Sequence, residues 1–210
     1  MLTVWCVFNG NKYSEQEVRI LRDQVERHYT GPHTFICLSD RKIDGVNCFI
    51  PQENWPGWWA KLLLFRYSQG ACLYLDLDCV VVGNLGSLLS QPLSMPQNWA
   101  QSGFGGCQSS VMAWYGNGYG FLAEDFRPED LKPPADGDCG RYHGLWGDQE
   151  YITRKLGAPG VGNVAAMQGV YSYKYHCGGG PPDDAVVVAF HGSPKPSEVS
   201  AQWVKNARYT

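Results

Sequence analysis

Basic tracts are missing from this chain: no run of Lys and Arg exceeds two residues, and the net charge is −3 over 210 residues. A surface that tracks phosphates needs clustered cations, so nucleic acid is not expected as a partner. Long apolar runs are missing too. None approaches the roughly 20 residues that span a bilayer, and no transmembrane segment is expected. Met1 to Gly10 lacks a charged stretch followed by a long apolar one, so no export signal is read there. None of the cysteines, at 6, 37, 48, 72, 79, 107, 139 and 177, forms a Cys-x-x-Cys pair, which argues against a zinc knuckle. Cys6, Cys37, Cys72 and Cys79 lie in apolar runs, where a thiol behaves as a small hydrophobe. These absences point to a reducing, cytoplasmic setting, although the even cysteine count leaves disulfides open.

What the chain does have is glycine, at 25 positions, and flat polar-tipped aromatics, with 8 Trp and 12 Tyr. That combination suits a loop-rich site with surfaces for bases or sugar rings. The most informative segment is Leu73 to Val82, an apolar, β-rich run that carries Asp76 and Asp78. Burying an unpaired carboxylate is costly. Residues i and i+2 of a strand share a face, so both carboxylates can converge on one point. Like charges that close repel unless a cation lies between them or one holds a proton. A divalent cation with oxygen ligands is the simplest resolution. The plainer alternative is a strand that ends there, with the two Asp residues shaping a turn.

Along the chain, Leu2 to Phe8 reads as a buried strand and Asn9 to Tyr13 as a turn. Ser14 and Glu17 form a capping box for a helix whose stripe is Val18, Leu21 and Val25, ending near Tyr29. Strands follow at Thr34 to Ser39 and Cys48 to Ile50, then a helix from Trp58 to Ser68, then the Asp-containing strand. This is an α/β pattern with a mostly parallel central sheet flanked by helices. Ligands of such sheets bind beyond the carboxyl ends of the strands, where Asn9, Asp40 and Asp76 with Asp78 fall. Further on, a glycine-rich stretch from Gly103 to Gly120 surrounds a strand at Ser109 to Trp114. Asp148 reads as the N-cap of a helix. Residues 157–182 read as an extended loop, and Ala185 to Phe190 as the last strand.

In this order the elements resemble a GT-A-fold glycosyltransferase, most of all the family 8 enzymes of the glycogenin and bacterial galactosyltransferase group. The resemblance rests on Asn9 to Tyr13, Leu38-Ser39-Asp40, Trp59-Ala60-Lys61-Leu62, Tyr74-Leu75-Asp76-Leu77-Asp78, Ser109-Ser110-Val111-Met112, Gly147-Asp148-Gln149, and Phe190-His191-Gly192-Ser193-Pro194-Lys195-Pro196. It spans nearly the whole chain and implies one GT-A, Rossmann-like domain over 1–210. Residues 1–82 would be the nucleotide-binding half, and 83–210 would supply acceptor contacts and complete the metal site.

The resemblance further implies a nucleotide-sugar donor, in all expectation UDP-linked, and a divalent cation, Mn2+ or Mg2+. Asp76, Asp78 and His191 would ligate the metal, a donor set that suits manganese. Lys195 would act on the phosphates as a point charge. Asn9, Lys61, Asp40, Leu77 and Gly192 match donor-side positions. Tyr13 would stack on the base, and Asp148 and Gln149 would lie beside the transferred sugar. The acceptor could be a glycan, a lipid or a protein, and transfer would go with retention. Two departures stand out: Ser197 follows Pro196 where the family carries Trp, and the Asn-Ser-Gly pattern expected before Ser109 is missing.

The main rival is a haloacid-dehalogenase-type phosphatase, with Asp76 as nucleophile, Asp78 as acid/base and Asp183-Asp184 as late magnesium ligands. That motif normally lies on the first strand and prefers Gly-Thr after the second Asp, where this chain has Cys79-Val80. A sugar-nucleotide pyrophosphorylase would need a longer glycine-rich loop than Asn9-Gly10-Asn11-Lys12. A non-catalytic carbohydrate-binding relative would use aromatics such as Trp55, Trp58, Trp59, Trp114 and Trp146.

Overall fold

A computed structural model describes residues 1–99, 106–132 and 139–210. The chain begins with β1 (Leu2–Phe8), α1 (Glu15–His28), β2 (His33–Ser39) and β3 (Cys48–Phe49). A 3₁₀ stretch, Gly57–Lys61, runs straight into α2 (Leu62–Tyr67). Then come β4 (Ala71–Leu75), β5 (Cys79–Val81), β6 (Ser94–Met95), β7 (Val111–Tyr115), the short α3 (Phe121–Glu124) and the ribbon β8 (Leu131–Lys132) and β9 (Arg141–Tyr142). The chain closes with α4 (Asp148–Leu156), β10 (Ala165–Ala166), β11 (Val170–Ser172), α5 (Tyr173–His176), β12 (Val187–Ala189) and α6 (Gln202–Tyr209).

The central sheet has the strand order β10-β6-β7-β4-β1-β2-β3. The β3-β2-β1-β4 half is parallel throughout, and β7 runs antiparallel to both β4 and β6. Why β1 is apolar without alternation is now clear. Leu2, Val4, Cys6 and Phe8 pack with Val18, Leu21 and Val25 of α1. Trp5 and Val7 pack on the opposite face with Leu62 to Phe65 of α2. Helices cover both faces, as the crossovers of a parallel sheet require. Each fully buried Val or Leu of the α1 stripe contributes about 1.5–3 kcal/mol.

A second sheet, β11-β12-β5, stands beside the first. It corrects the reading of Leu73 to Val82 as one strand. β4 stops at Leu75, the Cys79 N–H donates to the Asp76 carbonyl at 3.0 Å, and β5 leaves to pair with β12. The apolar run therefore serves two sheets, with both Asp residues in the turn between them.

Other local expectations are corrected for related reasons. Ser14 sits at the start of α1, but its side chain makes no capping hydrogen bond. Glu17 instead accepts from the buried Arg208 of α6 at 2.8 Å, because a buried cation needs a partner more than an exposed helix end does. Gly147, not Asp148, is the N-cap of α4, and Asp148 is its first helical residue. Residues 157–182 are not one extended loop: they hold β10, β11 and α5, ordered by pairing with β6 and β12. The helix expected from Trp58 to Ser68 is a 3₁₀ turn followed by a short α-helix, and the strand expected from Ser109 within the glycine-rich stretch begins at Val111. The part of that stretch at 103–105 lies outside the described residues. No helix among the described residues is long and apolar enough to cross a membrane.

Candidate active site

The carboxyl ends of β1 and β4 open onto a cavity of about 700 Å³. Its walls include Asn9, Tyr13, Lys61, Asp76, Asp78, Asp148, Gln149, His191, Gly192 and Lys195, drawn from segments up to 186 positions apart. Register explains the convergence. Cys79 of β5 pairs with Ala189 of β12, and the Phe190 N–H donates to the Asp78 carbonyl at 3.1 Å. The segment after β12 is thereby held against the turn after β4. Gly192 has φ +74°, which favours glycine, and a Cβ there would come within 3.0 Å of Lys174 Nζ.

Two ion-pair groups line the cavity. Asp76 continues the face of β4 that carries Tyr74, and the Tyr74 hydroxyl donates to its Oδ1. Lys61 Nζ lies 3.1 Å from Asp76 Oδ1, 3.4 Å from Asp148 Oδ2 and 3.3 Å from Ser109 Oγ. Burial opposes the charge on Lys61, but Asp148 and Asp76 outweigh it and raise its pKa. The Asp148 carboxyl, also buried, is pushed above the ordinary carboxylate range, with Lys61 resisting.

In the second group, Asp78 Oδ2 accepts from the Tyr13 hydroxyl at 2.8 Å and from Lys195 Nζ at 2.5 Å, and Lys195 also donates to the Tyr13 oxygen at 3.0 Å. Burial and then the neighbouring Asp76 raise the Asp78 pKa, and Lys195 resists. Burial and then the Asp78 carboxylate raise the Tyr13 pKa, so its hydroxyl stays protonated as a donor. His191 Nε2 lies 2.7 Å from Ser172 Oγ. Its pKa is lowered, first by burial and then by Lys174 and Lys195.

The residues singled out from the sequence divide in three. Ten of them line the cavity. Asp40 lines a neighbouring cavity of about 370 Å³ that shares Asn9, and its carboxylate accepts from the Gly10 N–H at 2.9 Å, bracing the loop after β1. Leu77 is buried among the apolar residues of the core. Asp183 and Asp184, which the phosphatase reading needs, are away from the cavity, and Asp184 is held by the Tyr171 hydroxyl. Tyr74, Lys12 and Gln108 also line the cavity; Tyr74 and Lys12 lie inside segments that carry the resemblance but have no role assigned there, and Gln108 has no sequence signal.

Among the described residues no group of three or more His, Cys, Asp or Glu is gathered as a metal cluster. The donor set nonetheless suits a hard divalent cation, since Asp76, Asp78 and His191 share one cavity and each carboxylate already has an ammonium group against it. Lys195 Nζ on Asp78 stands where a cation is electrostatically favoured.

No protein-family description and no curated protein sequence matches the chain. Solved structures do. The fold is similar to that of the glycosyltransferase GlyE of Streptococcus pneumoniae TIGR4, with 13% identity, a TM-score of 0.66, and coverage of 100% of this chain and 61% of GlyE. This chain thus spans less than two thirds of GlyE. It is similar also to the galactosyltransferase LgtC, crystallised with donor and acceptor sugar analogs, at 14% identity and a TM-score of 0.65, covering 97% of this chain and 93% of LgtC. A third similar structure is the bifunctional glycosyltransferase WbbM, at 12% identity and a TM-score of 0.58, covering 93% of this chain and 46% of WbbM. The β3-β2-β1-β4 half, the reversed β7 and these likenesses together give the chain the fold of the GT-A glycosyltransferases.

Proposed function

We propose that the chain is a metal-dependent glycosyltransferase that moves a sugar from a nucleotide-sugar donor, UDP-linked, to a glycan, lipid or protein acceptor with retention. The observation that carries this reading is the meeting of Asp76, Asp78, His191, Lys61, Lys195, Asp148 and Gln149 around one cavity at the strand ends of a GT-A sheet. The whole chain would act as one transferase domain, with 1–82 holding the nucleotide and 83–210 completing the cation and acceptor sites.

Asp76, Asp78 and His191 would hold Mn2+ or Mg2+. When bound, the ion would supply positive charge to the diphosphate leaving group. Asn9 and Tyr13 would take the nucleoside side, with Asp40 bracing their loop. Lys195 would exchange Asp78 for the phosphates and stabilise the charge that develops there. Lys61 would hold Asp76 and Asp148 fixed in direction, and Asp148 and Gln149 would orient the transferred sugar.

Calorimetric titration of UDP into the protein, first with manganese and then with EDTA, tests the reading. Manganese-dependent binding is expected, and equal or absent binding in the two conditions would remove the donor assignment. Lys195→Ala provides a sharper sign. Because Lys195 competes with a cation for Asp78, manganese alone should bind this variant more tightly than the wild type. UDP in manganese should bind it less tightly, by about tenfold, for loss of a charged contact to phosphate. A fall in both affinities would argue against the competition.

A further inference from the structure

Lys61 and Lys195 each rest against a carboxylate, but Lys174 of α5 does not: among the described residues its ammonium makes no hydrogen bond and no ion pair. Lys174 is exposed and stands just outside the cavity wall. Its Nζ lies beside Gly192, which belongs to that wall, and a Cβ on Gly192 would come within 3.0 Å of it. A side chain at 192 would crowd the ammonium, so glycine leaves it room at the edge of the cavity.

The backbone that carries Lys174 is held from both sides. Tyr173, the residue before it, stacks on Phe190 at 4.2 Å and 18°, and Tyr175, the residue after it, stacks on His191 at 5.8 Å and 20°. The Ser172 N–H donates to His176 Nδ1 at 2.9 Å and closes the turn. Ser172 also ends β11, which is locked in parallel register to β12, the strand that leads into Phe190. Strand pairing and two ring stacks therefore fix Lys174 against the segment 190–192, and leave its long side chain to turn.

The charge gathered here is of one sign. The charged groups acting on His191 are Lys174, Lys195 and His176, all of them basic. Asp78 meets Lys195, and Lys174 stays unmatched. Like charges beside a cavity repel until an anion enters, so this end favours a ligand with several negative charges. A lysine suits that task as a compact charge with three rotatable donors.

We propose that Lys174 is a second phosphate-binding lysine, which reaches past Gly192 to the diphosphate of the nucleotide-sugar donor and holds it together with Lys195. This rests on the donor reading given above and not on the identity of the cation. Lys195 must leave Asp78 to take a phosphate, whereas Lys174 breaks no ion pair, so its contact adds to affinity without that offset.

Calorimetry of UDP in manganese, with uridine as a competitor, tests the proposal. Lys174→Met is expected to lower UDP affinity about tenfold, the loss of one charged contact, and to leave uridine affinity unchanged, because uridine has no phosphate. Lys174→Arg, which keeps the charge, should retain most of the UDP affinity. The thermal midpoint of Lys174→Met should equal that of the wild type, since the ammonium has no partner to lose. Unchanged UDP affinity in Lys174→Met, or an equal fall for UDP and uridine, would overturn the phosphate contact and leave the donor reading standing. A wild type that binds neither UDP nor uridine would overturn the donor reading and the proposal with it.

Discussion

Asp78→Asn is expected to reduce UDP affinity in manganese to its value in EDTA and to lower the transfer rate by about 10²-fold or more, the scale of losing several kcal/mol of charge stabilisation. The amide is nearly the same size, and the backbone contact from the Phe190 N–H to the residue 78 carbonyl stays in place, so the loop carrying His191 does not move. The fold should not suffer either. Burial and Asp76 raise the Asp78 pKa above the ordinary carboxylate value, so the folded protein holds that proton more tightly than the unfolded chain. Ionised Asp78 therefore subtracts from stability. The penalty is absent at low pH and grows as pH rises from the ordinary carboxylate range through the raised value. The Asn variant removes it, and Lys195, partly exposed, can turn to water. A thermal midpoint equal to or above that of the wild type at pH 7, together with lost manganese dependence, is the expected pair of results. Undiminished UDP binding in manganese would end the assignment of Asp78 as a ligand. The same raised pKa predicts that wild-type manganese-dependent binding fades on acidification at a higher pH than an ordinary carboxylate would give.

Lys61→Met should act on the fold instead. The ammonium is buried between Asp76, Asp148 and Ser109, and removing it leaves the buried Asp148 carboxylate with no cation. Breaking a buried pair from one side costs about 3–5 kcal/mol, and a urea midpoint measured at pH 7 should fall accordingly. The sign follows from the raised Lys61 pKa. A lysine whose folded value exceeds its unfolded value contributes fully at neutral pH, and that contribution is lost only as pH rises through the raised value. Adding Asp148→Asn to Lys61→Met removes the stranded charge and should recover about half of the loss or more. A loss below about 1 kcal/mol for Lys61→Met would mean that the pair is solvated and that Asp148 is not held by Lys61. Because Lys61 holds both Asp76 and Asp148, which the proposed function puts beside the cation and the sugar, transferase activity should fall even where the folded fraction is restored by the second substitution.

Much of this arrangement could be read along the chain because it depends on period and punctuation. An apolar strand, a turn at Asn9-Gly10, an apolar stripe at Val18, Leu21 and Val25 and a second apolar strand describe a parallel α/β unit through local spacing alone. The Asp76 and Asp78 pair was visible for the same reason: two carboxylates inside ten apolar residues contradict their surroundings. The chain offers the break at Leu75 only as the plainer alternative to one continuous strand, because β4 and β5 are both apolar and only their partners, β7 and β12, differ. The N-cap of α4 was misread because Asp148 looks like a cap in isolation and is drawn instead to Lys61, 87 positions earlier.

The sequence by itself determined the α/β class, the strand ends at which a site would form and most of the charged residues found there, since those follow from side-chain period and from the cost of burying charge. The tertiary structure alone decided which charges meet. Lys61 pairs with Asp76 and Asp148, Lys195 with Asp78, and Ser172 with His191, and none of these contacts has a signature in local sequence. Each is set by strand register and sheet order, which bring distant segments within hydrogen-bond reach. In a buried cavity an ion pair or hydrogen bond forms with whatever partner that register delivers.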